Sequence, residues 1–210
     1  MSVESDLDSH GCALIEKLLS PEECRAFAAL YPEERLFRST VHMARHGFGK
    51  GEYRYFRYPL PGRLAELRSI LYRRLAPIAS RWTGKPYPAE HEDYLAQCHA
   101  AGQFRPTPLL LRYGPGDYNC LHQDLYGELV FPLQVAILLS EPGEDFTGGE
   151  FVLTEQRPRM QSRADAVAFA VSQRPVQGSR GSYRVTMRHG VSRIRTGQRH
   201  TLGIIFHDAL

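Results

Sequence analysis

Hydrophobic residues recur at steps of three and four in the first half of the chain, which is the period of one face of an α-helix. Residues 62–81 carry the clearest stripe, made of Leu64, Leu67, Leu71, Leu75 and Ile78. The segment SPEECRAFAALY, residues 20–31, is predicted to be a second helix because it opens with an N-capping serine, a first-turn proline and a capping-box glutamate. A third helix is predicted over residues 89–102.

From about residue 105 the pattern changes to short apolar runs separated by glycine, proline and acidic residues. The runs are PLLLRY, VFPLQVAILL, GEFVL, DAVAFAV, YRVTM and RHTLGIIF. Too few residues separate them for crossover helices, so the pattern favours antiparallel strands. We expect an α+β fold in a single domain over residues 1–210. Residues 1–104 would form a helical or lid-like extension and residues 105–210 a β-rich core, with no internal repeat.

Composition and charge limit the classes of function. The 210 residues are 42% hydrophobic and 23% charged, which is ordinary for a globular protein, and a net charge of +3 is too small for a dedicated nucleic-acid coat. The four cysteines show no CxxC pairing, which predicts reduced thiols. The start is acidic and polar, and no run of about 18 apolar residues occurs. We therefore expect a cytoplasmic protein with no membrane partner.

The stretch LHQDLYG suggests a metal site. If residues 121–124 are extended, His122 and Asp124 point to the same face. The best candidate for a third ligand is His189, at the end of a predicted strand. Two histidines and one carboxylate leave neighbouring positions open on a metal, as in non-haem Fe(II) oxygenases. An HxD pair by itself also fits a structural histidine beside a turn aspartate.

A possible anion site lies close to these residues in the predicted sheet. Arg199 comes ten residues after His189, and Thr201 shares its strand face. A buried arginine can hold a carboxylate through two hydrogen bonds, and a threonine hydroxyl can add another. A dicarboxylic keto acid could bind iron at one end and Arg199 at the other, with Tyr113 adding a phenolic hydrogen bond. The alternative is a surface arginine on a strand.

The combination of motifs resembles a known superfamily. LLLRYGPGDYNCLHQD, TGGEFVL and RHGVSRIRTGQRHTLGIIF are similar to the double-stranded β-helix (jelly-roll, cupin-like) core of Fe(II)/2-oxoglutarate-dependent dioxygenases. The resemblance implies that helices pack on such a core and that Fe(II), 2-oxoglutarate and O2 are used. It implies the iron ligands His122, Asp124 and His189, and the 2-oxoglutarate contacts Arg199, Tyr113 and Thr201.

Two branches of that superfamily compete. RYxPG before LHQD, and HGV at the distal histidine, resemble AlkB-type alkylation-repair enzymes, and the whole chain resembles a bacterial family of predicted oxygenases assigned to nucleic-acid repair. Arg199, however, comes early, and Ile205 stands where AlkB-type enzymes carry a second arginine. The spacing is closer to that of prolyl-hydroxylase-like members.

Residues 37–63 suggest how a substrate would bind. Arginines and aromatic residues alternate there, as expected for contacts to phosphates and displaced bases of single-stranded or damaged nucleic acid. We expect substrate contacts from Arg45, Arg54, Tyr55 and Arg57, with GFGKG as the flexible hinge of a lid. The alternative is a sheet extension whose aromatic residues are core and whose arginines are solvated.

Three functions follow. The leading hypothesis is a 2-oxoglutarate-dependent Fe(II) dioxygenase that dealkylates damaged nucleic acid. The second keeps the iron site but hydroxylates a protein side chain or a small molecule. The third is a non-catalytic β-barrel module that holds a metal for structure only, which would have no use for Arg199.

Overall fold

The structure is a computed structural model that describes residues 2–124, 127–155, 157–158, 166–170, 173–178 and 181–210. Its helices are α1 (Val3–His10), α2 (Pro21–Ala28), α3 (Gly62–Thr83) and α4 (His91–Ala100). Its strands are β1 (Cys12–Leu14), β2 (Phe37–His42), β3 (Gly49–Lys50), β4 (Glu52–Phe56), β5 (Leu109–Tyr113), β6 (Tyr118–His122), β7 (Leu133–Leu138), β8 (Phe146–Gly148), β9 (Phe151–Glu155), β10 (Arg157–Pro158), β11 (Ala166–Ala170), β12 (Gln173–Gly178), β13 (Gly181–Val191), β14 (Ile194–Gly197) and β15 (Arg199–Ile205). The three predicted helices and six predicted strands are all present.

The strands form two main antiparallel sheets. The larger sheet has the order β1-β11-β7-β15-β5-β4-β2, and the smaller has the order β10-β9-β13-β6-β3, with β12 also paired to β13. A short β8–β14 ladder lies beside them. This is the predicted α+β arrangement, with helices beside a double-stranded β-helix core.

The main hydrophobic core lies between the helices and one face of the larger sheet. The leucine stripe of α3 is buried against residues such as Leu202 and Ile204 of β15. Because side chains alternate along a strand, Thr201, Gly203 and Ile205 face the opposite side and line a cavity. Burial of each leucine stabilises the fold by about 2 kcal/mol. In the described part of the chain, no helix has the length and apolar character needed to cross a bilayer.

The N-terminal half contributes more than helices. Strands β2 and β4 extend the larger sheet, with Tyr55 of β4 opposite Leu109 of β5. The GFGKG segment is not a free hinge, because Gly49 and Lys50 pair with Asn119 and Tyr118 of β6. A Cβ on Gly49 would lie 2.4 Å from the Tyr118 carbonyl oxygen, so glycine serves close packing at this position. The structure thus contains the sheet extension, and the expectation of a hinged lid at GFGKG is wrong.

Candidate metal and co-substrate site

His122, Asp124 and His189 come together in the wall of the cavity. His122 ends β6 and lies directly opposite His189 of β13, so their rings are cross-strand neighbours with centroids 4.2 Å apart. Asp124 lies two residues beyond the end of β6, and its carboxylate oxygens are 3.4 Å from His122 Nε2 and 3.2 Å from His189 Nε2. One ligand atom from each of the three residues lies within 4.8 Å of the others. The chain leaves the strand at Gln123, so the same-face argument does not by itself place Asp124.

The tautomer of His122 suits metal binding. Its Nδ1 lies 2.8 Å from the Cys120 carbonyl oxygen. A carbonyl can only accept a hydrogen bond, so Nδ1 carries the proton and donates it. The lone pair of Nε2 is then free to face a metal, and the ring is held in that orientation.

The charges of the three groups are coupled. Burial disfavours ionisation of Asp124, but the neighbouring His189 and His122 outweigh it and hold the pKa of the carboxyl well below its usual range. Burial lowers the pKa of His189, which favours the neutral imidazole that binds metals. Burial also opposes protonation of His122, yet its hydrogen bond to Asp124 raises the pKa overall. Once His122 gives up its proton, two neutral imidazoles and a carboxylate form a donor set that fits Fe(II) and leaves coordination positions open.

Gln134 is a site residue that the sequence analysis missed. Its side-chain Nε2 donates a hydrogen bond of 2.8 Å to Asp124 Oδ2. Gln134 is buried on β7, in the middle of the larger sheet. A signal was available, because glutamine is the single polar residue in the run VFPLQVAILL. A polar side chain in a buried strand requires a hydrogen-bond partner.

The metal residues open onto a cavity of about 230 Å³. Its walls are mostly apolar and aromatic, with a smaller number of polar groups among them. Wall residues include Phe48, Tyr53, Tyr55, Leu109, Leu111, Phe151, Phe169 and Val191. Such a mixture of apolar walls and few convergent polar groups is typical of a small-molecule site. The same cavity contains Arg199, Thr201 and Tyr113.

Arg199 is a buried cation that forms no ion pair with a described residue. It is 3% exposed, and among the described residues no carboxylate lies within ion-pairing distance of its guanidinium. Burial lowers its pKa, as expected for a cation removed from water. It donates one hydrogen bond to Thr201 Oγ1, while its Nε has no partner within the described ranges. A buried unpaired cation is costly, so this arrangement fits an anionic ligand.

Tyr113 and Gly149 shape the surroundings of Arg199. Tyr113 is opposite Arg199 in the β5–β15 ladder, and its buried hydroxyl makes no hydrogen bond to the described residues. Burial raises the pKa of Tyr113, so the phenol remains protonated and can donate to a carboxylate. A Cβ on Gly149 would lie 3.0 Å from Arg199 Cδ, so glycine leaves room for the arginine stem. These groups fit the distal carboxylate of 2-oxoglutarate.

The four residues that the sequence predicted to contact the substrate do not all lie at the cavity. Tyr55 lines the cavity. Arg54, the neighbouring residue on β4, faces away from the cavity. Its Nη1 donates a hydrogen bond of 3.1 Å to the Tyr31 carbonyl oxygen, and its Nε lies 3.6 Å from Glu52 Oε1. Arg45 and Arg57 are exposed and do not line the cavity. The alternation of side chains along β4 therefore separates Tyr55 from Arg54.

Solved structures support the fold. A prolyl hydroxylase from Trichoplax adhaerens, in complex with a hypoxia inducible factor peptide, is 14% identical with a TM-score of 0.64, covering 97% of this chain and 86% of that chain. An oxidoreductase of the 2OG-Fe(II) oxygenase family from Burkholderia pseudomallei is 19% identical with a TM-score of 0.53, covering 99% of this chain and 91% of that one. At these identities the similarity concerns the fold.

Sequence comparison gives the family. Rv2227, an uncharacterized protein of Mycobacterium tuberculosis, is 52% identical over 167 residues, which is 73% of this chain and 72% of the relative. Residues 51–209 match the model of the Oxygenase-NA family, described as "oxygenase, catalysing oxidative methylation of damaged DNA". The matched segment contains the three metal-binding candidates, Arg199 and the three tyrosines of the cavity wall. The chain is thus an oxygenase and belongs to the Oxygenase-NA family.

Proposed function

We propose that the protein is an Fe(II)/2-oxoglutarate-dependent dioxygenase that removes alkyl groups from damaged nucleic acid by oxidation. The observation that carries this proposal is one cavity lined both by a His-Asp-His group and by Arg199, which is buried and forms no ion pair with a described residue. The description of the family supports DNA as the class of substrate. A metal held for structure alone would leave Arg199 without a purpose, so the geometry favours an enzyme over a binding module.

Each site residue has a distinct task in this proposal. His122, Asp124 and His189 would hold Fe(II), while Arg199, Thr201 and Tyr113 would bind the distal carboxylate of 2-oxoglutarate. Fe(II), 2-oxoglutarate and O2 would together supply oxidation of a substrate C–H bond, with release of succinate and CO2. The aromatic walls exclude water and hold the substrate carbon in place. Hydroxylation of an N-methyl carbon would release formaldehyde and restore the unmethylated nitrogen.

The cysteines and the hydrophobic core bear on the cellular compartment and on the domain organisation. The four cysteines, all within the described ranges, form no disulfide, which supports a reducing compartment. We propose a cytoplasmic enzyme in which residues 1–210 act as one domain. Helices α3 and α4 share a hydrophobic core with the larger sheet, which supports a single unit.

A second candidate function is hydroxylation of a protein side chain. Two observations favour it: Arg199 lies ten residues after His189, and the structural neighbours include a prolyl hydroxylase bound to a peptide. In this case the product is an alcohol and no formaldehyde is released. The two candidates share all cofactor residues and differ only in the substrate.

One experiment distinguishes the candidates. Protein loaded anaerobically with Fe(II) is supplied with 2-oxoglutarate, O2 and N-methylated single-stranded oligonucleotides, with unmethylated oligonucleotides as control. We expect succinate and methyl-dependent formaldehyde from the native protein, and neither from folded Asp124→Ala. Succinate without formaldehyde would indicate that the substrate is a peptide or a metabolite. Loss of succinate from protein that demonstrably binds Fe(II) would reject the dioxygenase.

A further inference from the structure

A row of basic and aromatic side chains leads away from the cavity at Tyr55. Tyr55 lines the cavity, and Tyr53 meets it edge-on with centroids 5.4 Å apart. The guanidinium of Arg38 lies 4.5 Å from the centre of the Tyr55 ring. Since β2 is the edge strand of the larger sheet, Arg38 extends the cavity wall toward the outside of the molecule.

Arg38 connects this wall to a second segment of the chain. Its Nε donates a hydrogen bond of 3.0 Å to the Pro106 carbonyl oxygen. Arg105 and Phe104 come immediately before Pro106, and both side chains are exposed. The charge of Arg105 acts on Arg38, and Phe104 is the chain neighbour of Arg105, so Tyr55, Arg38, Arg105 and Phe104 lie in one region of the molecule. We call these four residues the mouth track.

The two cations of the mouth track are unpaired. In the part of the chain that the structure describes, neither Arg38 nor Arg105 lies within ion-pairing distance of a carboxylate, whereas Arg54, Arg63 and Arg112 all do. Burial, together with repulsion from Arg105, lowers the pKa of Arg38. Asp208 acts on Arg38 in the opposite sense, but its carboxylate forms its ion pairs with Arg68 and His99. Two neighbouring like charges that form no ion pair with a described residue attract anions.

Phe104 gives the mouth track a second aromatic surface. It is 60% exposed, one of the most exposed large hydrophobic residues among those described. The His99 ring supports it at a centroid distance of 5.4 Å, with an interplanar angle of 31°. One side of the ring thus packs on the protein and the other faces solvent. An exposed aromatic ring beside cations is the arrangement that stacks on nucleic-acid bases.

We propose that the mouth track binds the nucleotides adjacent to the one that enters the cavity, so that its partner is single-stranded nucleic acid. This inference rests on the proposed nucleic-acid substrate and identifies where the strand lies. The track places two cations, which can contact phosphates, between two aromatic rings, which can stack on bases. An acidic peptide would use Arg38 and Arg105 but would give the exposed rings nothing planar to stack on. In this proposal Arg38 and Arg105 of the mouth track replace Arg54 as the expected phosphate contacts.

The test measures binding of a fluorescent single-stranded oligonucleotide to protein loaded with Mn(II) and 2-oxoglutarate, by anisotropy across a salt series. Phe104→Ala should weaken binding about tenfold while leaving the salt dependence unchanged. Arg105→Gln should reduce the slope of log K against log salt by about 0.7, the contribution of one phosphate contact to a single strand. Matched controls are Leu14→Ala, an exposed residue on the opposite edge strand, and Arg74→Gln, an exposed residue on α3. Both should bind as the native protein does.

Each outcome decides the inference. Native affinity in both mouth-track variants would overturn it. Equal loss in the controls would also overturn it, because the effect would then be non-specific. An acidic peptide that binds the native protein more tightly than the oligonucleotide, and loses affinity in Arg105→Gln, would assign the track to a protein partner. Calorimetry of 2-oxoglutarate binding to the same samples tests the co-substrate site separately, so failure of the dioxygenase proposal is distinguishable from failure of the track.

Discussion

The hydrogen bond from Gln134 to Asp124 predicts that Gln134→Met weakens metal binding. Methionine keeps the length and apolar contacts of glutamine but removes the Nε2 donor that holds Asp124 Oδ2 at 2.8 Å. A hydrogen bond to a charged group contributes about 1.5–3 kcal/mol. The bond exists before and after metal binding, so only the part that orients the carboxylate affects affinity. We therefore expect the binding free energy of the metal to fall by about 1.4 kcal/mol, which raises the dissociation constant about tenfold. This lies within the range for residues that orient metal ligands.

The assay is anaerobic titration with Fe(II) and Mn(II), with circular dichroism to establish that the variant is folded. The Co(II) absorption spectrum gives an independent readout, because a reoriented carboxylate changes the ligand field. The matched control is Ser140→Ala, which removes a buried hydrogen bond to the His200 N–H just beyond the same strand. Ser140→Ala should lower stability but not metal affinity. A folded Gln134→Met protein with native affinity and a native Co(II) spectrum would refute the reasoning.

Three further predictions concern Arg199, its neighbour Gly149, and two buried histidines. Arg199→Met should raise the melting temperature of the protein without 2-oxoglutarate, because it removes a buried unpaired cation, and calorimetry should show about 10–100-fold weaker co-substrate binding. Unchanged affinity would contradict this role. Gly149→Ala should lower stability and raise the KM for 2-oxoglutarate several-fold with little change in iron affinity, because its Cβ would meet Ile194 Cδ1 at 2.3 Å and Arg199 Cδ at 3.0 Å in a backbone of positive φ, so that both side chains would have to shift. Burial lowers the pKa of His91 and of His207 to about 4, so the unfolded chain, with a pKa of about 6.5, binds more protons between these values. Urea denaturation should therefore show stability that is complete above about pH 6.5 and falls as pH drops toward 4, by about 2 kcal/mol per histidine at pH 5. A flat profile would exclude the buried neutral histidines.

Local sequence signals were sufficient for most secondary structure. The capping box at Ser20 forms as expected, with Ser20 Oγ accepting from Glu23 N and the Glu23 carboxylate accepting from Ser20 N. The leucine stripe of α3 is buried along one face. These features depend on residues three or four positions apart, so a short window of sequence contains all the information. Strands β2 and β4 were harder, because the basic and aromatic residues of FRSTVH and EYRYF fit a mobile substrate segment as well as a partly buried sheet.

The chemical character of the site was also visible in the sequence. The HxD pair and Arg199 with Thr201 named the residues that the structure brings into one cavity. The sequence did not show toward which side of the sheet the neighbouring side chains point. Arg54 belongs to the same basic segment as Tyr55, yet the pairing of β4 with β5 turns it away from the cavity and toward Tyr31.

The sequence by itself determined helices α2, α3 and α4, the six apolar strand segments after residue 105 and the donor types available for a metal and a carboxylate, since these follow from local periodicity and residue chemistry. Only the tertiary structure decided which residues meet: His189 opposite His122, Gln134 on Asp124, and Arg38 over Tyr55. The physical reason is strand register. A shift of one residue turns every side chain of a strand to the other face, and register is set by packing and pairing between segments far apart in the chain.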